Sequence, residues 1–362
     1  MNKNVYLVGG AVRDLLLGKK SSDLDYVVIN SSEEEMLSNG FKPVGADFPV
    51  FLHPDTGNEY ALARTERKTG KGYNGFSVST NGVTLKDDLF RRDITINAMA
   101  IDSNGNLIDP FNGLSDLSNG VIRHVSEAFR EDPVRILRVA RFCATYDFIL
   151  HEQTLHLMKE MVTNGEVDNL TSERVWAEIK KTFSKTNPSI FFRVLDKCGA
   201  LNRLVPHLSL NETVNNALDK AVNDKKESCD VVFSILMSNS RNEGDIHDIC
   251  EKLKIPTNEK RLAILTYKNL PKIQHALNND YEELFKIIES LDVHHKTDTL
   301  DKFIRICEIV FNDFDTEKFM GLIDRVRSVS SQHLLEQGLT GAAFGIELKR
   351  LRKEALNNII KE

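Results

Sequence analysis

The hydrophobic pattern of this chain changes period once, near residue 125, and that change restricts the fold to an α+β arrangement with the sheet first. Upstream of it, apolar runs are of strand length and end at turns. Val5–Val8 stops at Gly9-Gly10, and a helical pattern through Leu15, Leu16 and Leu17 then stops at Gly18. Residues 25–29 are β-rich, and residues 48–53 and 59–63 read as two further strands joined by a turn at 54–58. Asn104-Gly105, between residues 98–101 and 107–108, is a hairpin signal. The polar, glycine-rich stretch 70–75 is expected to be mobile. Downstream, apolar residues keep helical spacing. Thr171 or Ser172 caps a helix bearing Val175, Trp176, Ile179 and Phe183. Asn187-Pro188 opens another, with Phe191, Phe192, Val194 and Leu195 on its buried side. The expected organisation is a mixed-sheet domain with helices at 1–122, a helical region at 123–207, and a helical body at 208–362 that makes the C-terminal part elongated and all-helical.

At 362 residues the chain exceeds one ordinary domain, and its 41% hydrophobic and 28% charged residues are those of a soluble globular protein. No run approaches the ~18 apolar residues of a membrane span, and the start lacks a signal peptide's pattern. A cytoplasmic protein without membrane contact, monomeric or weakly homodimeric, is the expectation. The five cysteines are scattered with no CxxC pair, which points to reduced thiols and away from disulfides or a structural zinc site. A net charge of −6 argues against a coat of nucleic acid. Residues 121–210 nevertheless hold 13 Lys and Arg against 11 Asp and Glu, and a local basic track suffices for phosphate contacts.

Four clusters carry chemistry. Residues 9–14 (GGAVRD) sit between a strand and a helix, where glycines let the backbone approach a phosphate; a purely structural turn is the other reading. In Asp23-Leu24-Asp25, strand positions i and i+2 share a face, so both carboxylates would point at one spot and suit Mg²⁺; a solvated, capped turn is the alternative. Arg91-Arg92-Asp93 precedes the apolar stretch 94–101, which contains Asn97. It reads as a surface charge pair or as a guanidinium fork for a triphosphate. The fourth, residues 131–142 (EDPVRILRVARF), says most. Asp132 is the expected N-cap and Pro133 the first helical residue. Arg135, Arg138 and Arg141 recur every third residue, so with Asp132 they form one slanting polar ridge about 13 Å long. The rest of that helix is apolar and must be buried. Unpaired buried charge is costly, so these arginines need anions, either carboxylates in an internal ladder or a nucleotide.

Together these residues resemble the class II tRNA nucleotidyltransferases, the CCA-adding enzymes, in the bacterial branch close to the poly(A) polymerases. The motifs are GGAVRD at 9–14, DLD at 23–25, RRDITINA at 91–98, DPFNGL at 109–114 and EDPVRILRVARF at 131–142. The match runs from Val5 to about Phe142 and more weakly to about Leu204, and residues 47–76 are similar to the CCA-adding members more than to the poly(A) polymerases. The resemblance implies template-independent addition of C, C and A to the tRNA 3′ end from CTP and ATP, with release of pyrophosphate. It implies that Asp23 and Asp25 hold catalytic Mg²⁺ and that Gly10, Arg13 and Arg92 contact the nucleotide. Asp132 and Arg135 would read the base edge, and Arg138 and Arg141 would complete the nucleotide site. Residues 64–76, with Arg64 and Arg67, would form a mobile loop for switching from C to A, and Glu59 is a third acidic candidate. An enzyme restricted to the terminal A or to A tails is the nearest alternative. A catalytically silent RNA-binding protein would be expected to have lost these carboxylates.

Longer relatives in this branch carry a C-terminal phosphohydrolase domain with a metal-binding His-Asp pair. Here the equivalent segment, residues 232–239, has Met237-Ser238 at that place. The one His-Asp dipeptide, His247-Asp248, lies in a polar stretch and reads as surface, as does His294-His295. The expectation is a degenerate region that serves as a helical tRNA-holding body.

Overall fold

The computed structural model describes residues 4–20, 23–44, 49–68, 76–185, 187–224, 226–294 and 298–357. The chain divides into two compact units, Met1–Leu204 and Val205–Glu362. The first unit is built on a mixed sheet. Its strands are β1 (Val5–Val8), β2 (Asp25–Val28), β3 (Lys42–Val44), β4 (Val50–Leu52) and β5 (Glu59–Leu62), with β6 (Thr65–Lys68) and β7 (Phe76–Ser79) as a separate antiparallel pair, then β8 (Ala100–Ile101) and β9 (Leu107–Ile108). The order is β3-β4-β5-β2-β1-β8-β9. Only the β2–β5 pairing in this sheet is parallel, with Asp25 opposite Glu59 and Tyr26 opposite Tyr60.

Period-two alternation sends successive residues to opposite faces. Val8, Val27 and Ala100 pack with Ala63, Leu85 and Leu89 on one face. Val28 and Leu62 pack with Met36, Phe41 and Phe51 on the other. The β8–β9 hairpin turns at Asn104-Gly105, where the Asn104 and Asn106 N–H groups both donate to Asp102 Oδ1 at 2.8 Å. Phe48, residues 70–75 and His295 lie outside the described residues.

Helices α1 (Gly10–Leu16), α2 (Glu33–Ser38), α3 (Leu85–Phe90) and α4 (Gly113–Ser118) accompany the sheet. The DPFNGL motif proves to be the start of α4. Asp109 accepts the N–H groups of Gly113 and Leu114 at 2.7 and 2.9 Å. A Cβ on Gly113 would lie 2.3 Å from the Thr95 carbonyl oxygen, so no larger residue fits there. The parallel pair β10 (Val121–Ile122) and β11 (Ile149–Leu150) brackets α5 (Val134–Tyr146). After these come α6 (Glu152–Thr163), α7 (Ser172–Thr182), α8 (Pro188–Lys197) and α9 (Ala200–Leu204). Helix α5 packs on α7 and α8 and buries Ile136, Leu137, Val139, Ala140 and Cys143 almost completely. Burial of each large aliphatic side chain contributes roughly 1.5–3 kcal/mol. Leu137→Ala alone should therefore cost about 2–5 kcal/mol.

The start of α5 differs from expectation by one residue. Pro133 is the N-cap and Asp132, extended at φ −125°, precedes it. The capping chemistry survives, because Asp132 Oδ1 accepts the Val134 N–H at 3.1 Å. Thr171 flanks α7, and Asn187 flanks α8 with Pro188 in its first turn, as the spacing predicts.

The second unit is helical throughout its described residues. It comprises α10 (Glu212–Asn223), α11 (Cys229–Met237), α12 (Glu243–Lys252), α13 (Thr257–Asn279), α14 (Tyr281–Ser290), α15 (Thr299–Val310), α16 (Thr316–Ser328), α17 (Gln332–Glu336) and α18 (Gly341–Asn357). Its centre is α11, which is buried from Val231 to Met237 and packs against α10, α13 and α15. Among the described residues no helix is long and apolar enough to cross a membrane. None of the five cysteines is in a disulfide among the described residues.

Candidate active site

The first unit carries a cleft of about 500 Å³ between the sheet's β1–β2–β5 region and the start of α5. One wall is acidic. Asp25 opens β2 and Glu59 opens β5, and their parallel register stands the two side chains beside each other on the cleft face. Asp23 departs from the expected i, i+2 strand geometry: it lies ahead of the strand, exposed and outside the cleft lining. Its charge still reaches Asp25. The Asp25 carboxyl is raised above the ordinary range, first by loss of solvent against the protein wall, then by Glu59 and, more weakly, Asp23, with Arg92 opposing.

Gly9 and Gly10 close the floor. Gly9 has φ +70° and ψ −132°, a backbone state essentially reserved for glycine, and a Cβ there would stand 2.8 Å from Arg92 Nη1. Arg92 is thereby laid across the glycine turn. Its Nη2 reaches Asp88 Oδ2 at 3.2 Å, while its buried Nε has no partner among the described residues. Asp88 is wholly buried, yet the charges of Arg91 and Arg92 outweigh that burial and hold its carboxyl below the ordinary range. Arg64 also lines the cleft.

The opposite wall is the arginine ridge, and every member of it has a partner within the protein. Arg138 Nε donates to Asp93 Oδ2 at 2.7 Å. Asp93 Oδ1 accepts from Asn97 Nδ2 at 3.0 Å and from the Ile94 N–H at 2.9 Å. Burial alone would raise the Asp93 carboxyl, but the Arg138 charge and these hydrogen bonds bring it down to about 2. Arg135 Nη1 donates to the Ala128 carbonyl at 2.7 Å. Arg174 Nη2, on α7, donates to Asp132 Oδ2 at 2.8 Å. Asp132, Arg135, Arg138 and Arg174 all line the cleft.

Arg13 and Arg141 are placed differently from their expected nucleotide contacts: neither is in the cleft lining. Arg13 is buried, donates from Nε and Nη2 to Asp14 Oδ1 at 3.0 and 2.9 Å, and meets the Asn97 side-chain oxygen. Arg141 Nε is pinned to Glu178 Oε2 at 2.6 Å. Both guanidiniums, with that of Arg138, surround the Phe142 ring at 5.4, 4.6 and 5.6 Å, an arrangement that stabilises cations through the ring's negative face.

Four supporting residues were not singled out as site residues from the sequence: Asp88, Asp93, Arg174 and Glu178. Asp93 had a signal, as the acid following an arginine doublet. Asn97, which links Arg13 to Asp93, had another, as a polar residue inside an apolar run. Arg174 and Glu178 had none, because an i, i+4 pair on an amphipathic helix is commonplace.

A mixed sheet whose acidic strand starts face a cleft of about 500 Å³, with a glycine turn and arginines in its lining, defines a nucleotidyltransferase head. Residues 5–123 match the Poly A polymerase head domain, and residues 147–211 match the probable RNA- and SrmB-binding site of polymerase A. A CCA-adding enzyme of Pseudomonas putida is 42% identical over 361 residues, covering 97% of each chain. One from Coxiella burnetii is 43% identical over 360 residues, covering 98% of this chain and 95% of its own. The chain belongs to the CCA-adding enzymes. Its fold matches a CCA-adding enzyme solved with ATP at a TM-score of 0.71 and 25% identity, covering 98% of this chain and 86% of that one. It also matches the fold of a Thermotoga maritima CCA-adding enzyme solved with tRNA, at 0.68 and 24% identity, covering 99% and 91%.

Proposed function

We propose that this cleft adds C, C and A to the 3′ end of tRNA from CTP and ATP, without a nucleic-acid template and with release of pyrophosphate. The observation that supports it best is the division of the cleft into a wall of crowded carboxylates and a wall presenting Asp132, Arg135, Arg138 and Arg174.

The acidic wall fits a divalent cation. Its donors are hard carboxylate oxygens, and the like charges that raise Asp25 are relieved by a cation set among them. No three His, Cys, Asp or Glu among the described residues are gathered as a metal site, and Mg²⁺ does not need three, because it takes one or two carboxylates and fills the rest with phosphate and water. Asp23 and Asp25 would hold it, with Glu59 adjacent. When bound, such a cation lowers the pKa of an attacking hydroxyl and offsets the charge that builds on the transferring phosphate.

Arg92 is suited to the triphosphate, since its orphaned Nε is a buried donor without an acceptor. Gly9 and Gly10 leave room for it beside the backbone. At the other wall, Asp132 accepts from the exocyclic amine that cytosine and adenine share, and Arg135 donates to the neighbouring ring nitrogen or carbonyl. Uracil and guanine offer a carbonyl where the carboxylate needs a donor, and two acceptors repel. Arg138 presents its charge from the next turn. Arg141 acts from behind, holding Phe142 and α7 in place through Glu178. In this reading residues 1–122 form the catalytic head, 123–207 the nucleotide-recognising neck, and 208–362 the body that holds tRNA.

The test is to incubate the protein with tRNAs lacking zero, one, two or three terminal nucleotides and with each labelled NTP in turn. The expected result is C at the first two positions, A at the third, and nothing on the complete end. Incorporation of ATP alone, or of long A tails, would overturn CCA addition.

A further inference from the structure

We infer that Arg174, on α7, is the positioning residue for base selection: it fixes the Asp132 carboxylate in the orientation that accepts an amine. The inference rests on the reading of Asp132 as the base-reading acid.

Asp132 is on no helix. Its backbone is extended, between a short turn of helix at Glu127–Glu131 and the start of α5. A side chain at such a junction is free to turn about χ1 and χ2 unless something holds it. Among the described residues two donors hold this one. The Val134 N–H takes Oδ1, and Arg174 Nη2 takes Oδ2. The first comes from two residues away and moves with Asp132. The second comes from 42 residues along the chain, so among the described residues it is the tie between the carboxylate and α7. Each carboxylate oxygen has about two lone-pair directions, so one on each remains for a substrate amine.

The element that carries Arg174 is rigid. Helix α7 buries Val175 and Ile179 against α5. One turn on from Arg174, Glu178 is buried and joined to both Arg141 at 2.6 Å and Lys181 at 2.9 Å. Arg141 strengthens that tie, so that burial notwithstanding, Glu178 titrates below its ordinary range. Arg174 also lines the cleft itself, next to Asp132. The pair is partly open, with side-chain exposures of 28% and 24%. Partly screened pairs of this kind contribute little to folding. A pair worth little to stability, set on a rigid helix and directed at the acid that reads the base, is a device for orientation.

The test compares Arg174→Ala, Arg174→Lys, Asp132→Ala and the double Ala variant in single-nucleotide addition to tRNA. The readouts are kcat and KM for CTP, UTP, ATP and GTP, with thermal unfolding alongside. Arg174→Ala should lower the CTP/UTP and ATP/GTP ratios of kcat/KM by on the order of tenfold, the worth of one oriented charge-assisted hydrogen bond. The loss should fall mainly on KM for CTP and ATP, with Tm near that of the unsubstituted protein. Arg174→Lys, which keeps one charged donor, should restore most of the ratio. The double variant should discriminate no worse than Asp132→Ala. The inference is overturned if Asp132→Ala relaxes base choice while Arg174→Ala keeps it, or if Arg174→Ala slows all four nucleotides equally. If Asp132→Ala itself leaves base choice intact, the reading of Asp132 falls and carries this inference with it.

Discussion

The two walls of the cleft handle charge in opposite ways. On the acidic wall Asp25 and Glu59 stand side by side with Asp23 near, and their mutual repulsion adds to desolvation in lifting Asp25. On the ridge each arginine is already matched, Arg138 to Asp93, Arg141 to Glu178 and Arg135 to a backbone carbonyl, and Arg174 of α7 is matched to Asp132. A wall where like charges crowd, only partly offset by Arg92, suits the cation proposed for it. A wall whose charges are satisfied internally keeps its shape without a ligand, as the proposed selection of a base would require. The internal ladder, one of two opposed readings of the arginine spacing, is what the structure contains, and the proposed nucleotide site would be built on it.

The largest break in this comparison is Asp25→Asn. If Asp25 holds the divalent cation as proposed, transfer should fall by on the order of 10³-fold or more while tRNA binding persists. A chemical-quench time course and a filter-binding titration separate the two. Next is Asp93→Ala, which strips the ridge of a buried anion. The Asp93 carboxyl lies at about 2 in the folded protein against 3.8 ordinarily. That difference contributes about 2 kcal/mol of stability. It is fully present above about pH 4 and disappears as pH falls toward 2, since the depressed group must then be protonated in both states. Denaturant unfolding of both proteins from pH 7 to pH 2.5 should show a gap that narrows by about 2 kcal/mol toward acid, on top of a pH-independent loss from the three hydrogen bonds that Asp93 accepts. Gly9→Ala should act more mildly, forcing a side chain into a glycine-only backbone state against Arg92. Strain of about 1–3 kcal/mol and a several-fold rise in KM for nucleotides are expected, visible in Tm and in steady-state kinetics. The smallest effect is none at all. Met237, at the place where the resemblance would set a metal-binding histidine, is wholly buried, and His247 lies 3.8 Å from Glu243 on partly exposed α12. Purified protein should release no phosphate from 2′,3′-cyclic AMP, and a steady release would contradict this account of the second unit.

Local physics made much of this visible in advance. Alternation and turn residues located β1, β2, β5 and the β8–β9 hairpin, and cap residues located α7 and α8. The failures share a cause, which is partnership across the chain. The i, i+2 argument paired Asp23 with Asp25, but the strand starts at Asp25, and the neighbour that shares its face is Glu59, brought there by parallel pairing between β2 and β5. Pairing register between distant strands leaves no trace in either strand's own pattern. Likewise the arginine spacing showed that anions were needed without showing which. Asp93 and Glu178 are 45 and 37 residues from their arginines. Arg13 read as a phosphate ligand from its place after two glycines, whereas Asn97, Asp14 and the Phe142 ring hold it within the protein.

The division of labour between the walls is tested most directly by single-turnover addition of each of the four NTPs to tRNA lacking its last nucleotides, with Asp25→Asn and Asp132→Ala measured side by side. The prediction is that Asp25→Asn loses rate with the ratios among nucleotides unchanged, while Asp132→Ala admits UTP and GTP roughly tenfold more readily relative to CTP and ATP at a smaller loss of rate. Equal loss across all four nucleotides in Asp132→Ala, with no misincorporation, would contradict it.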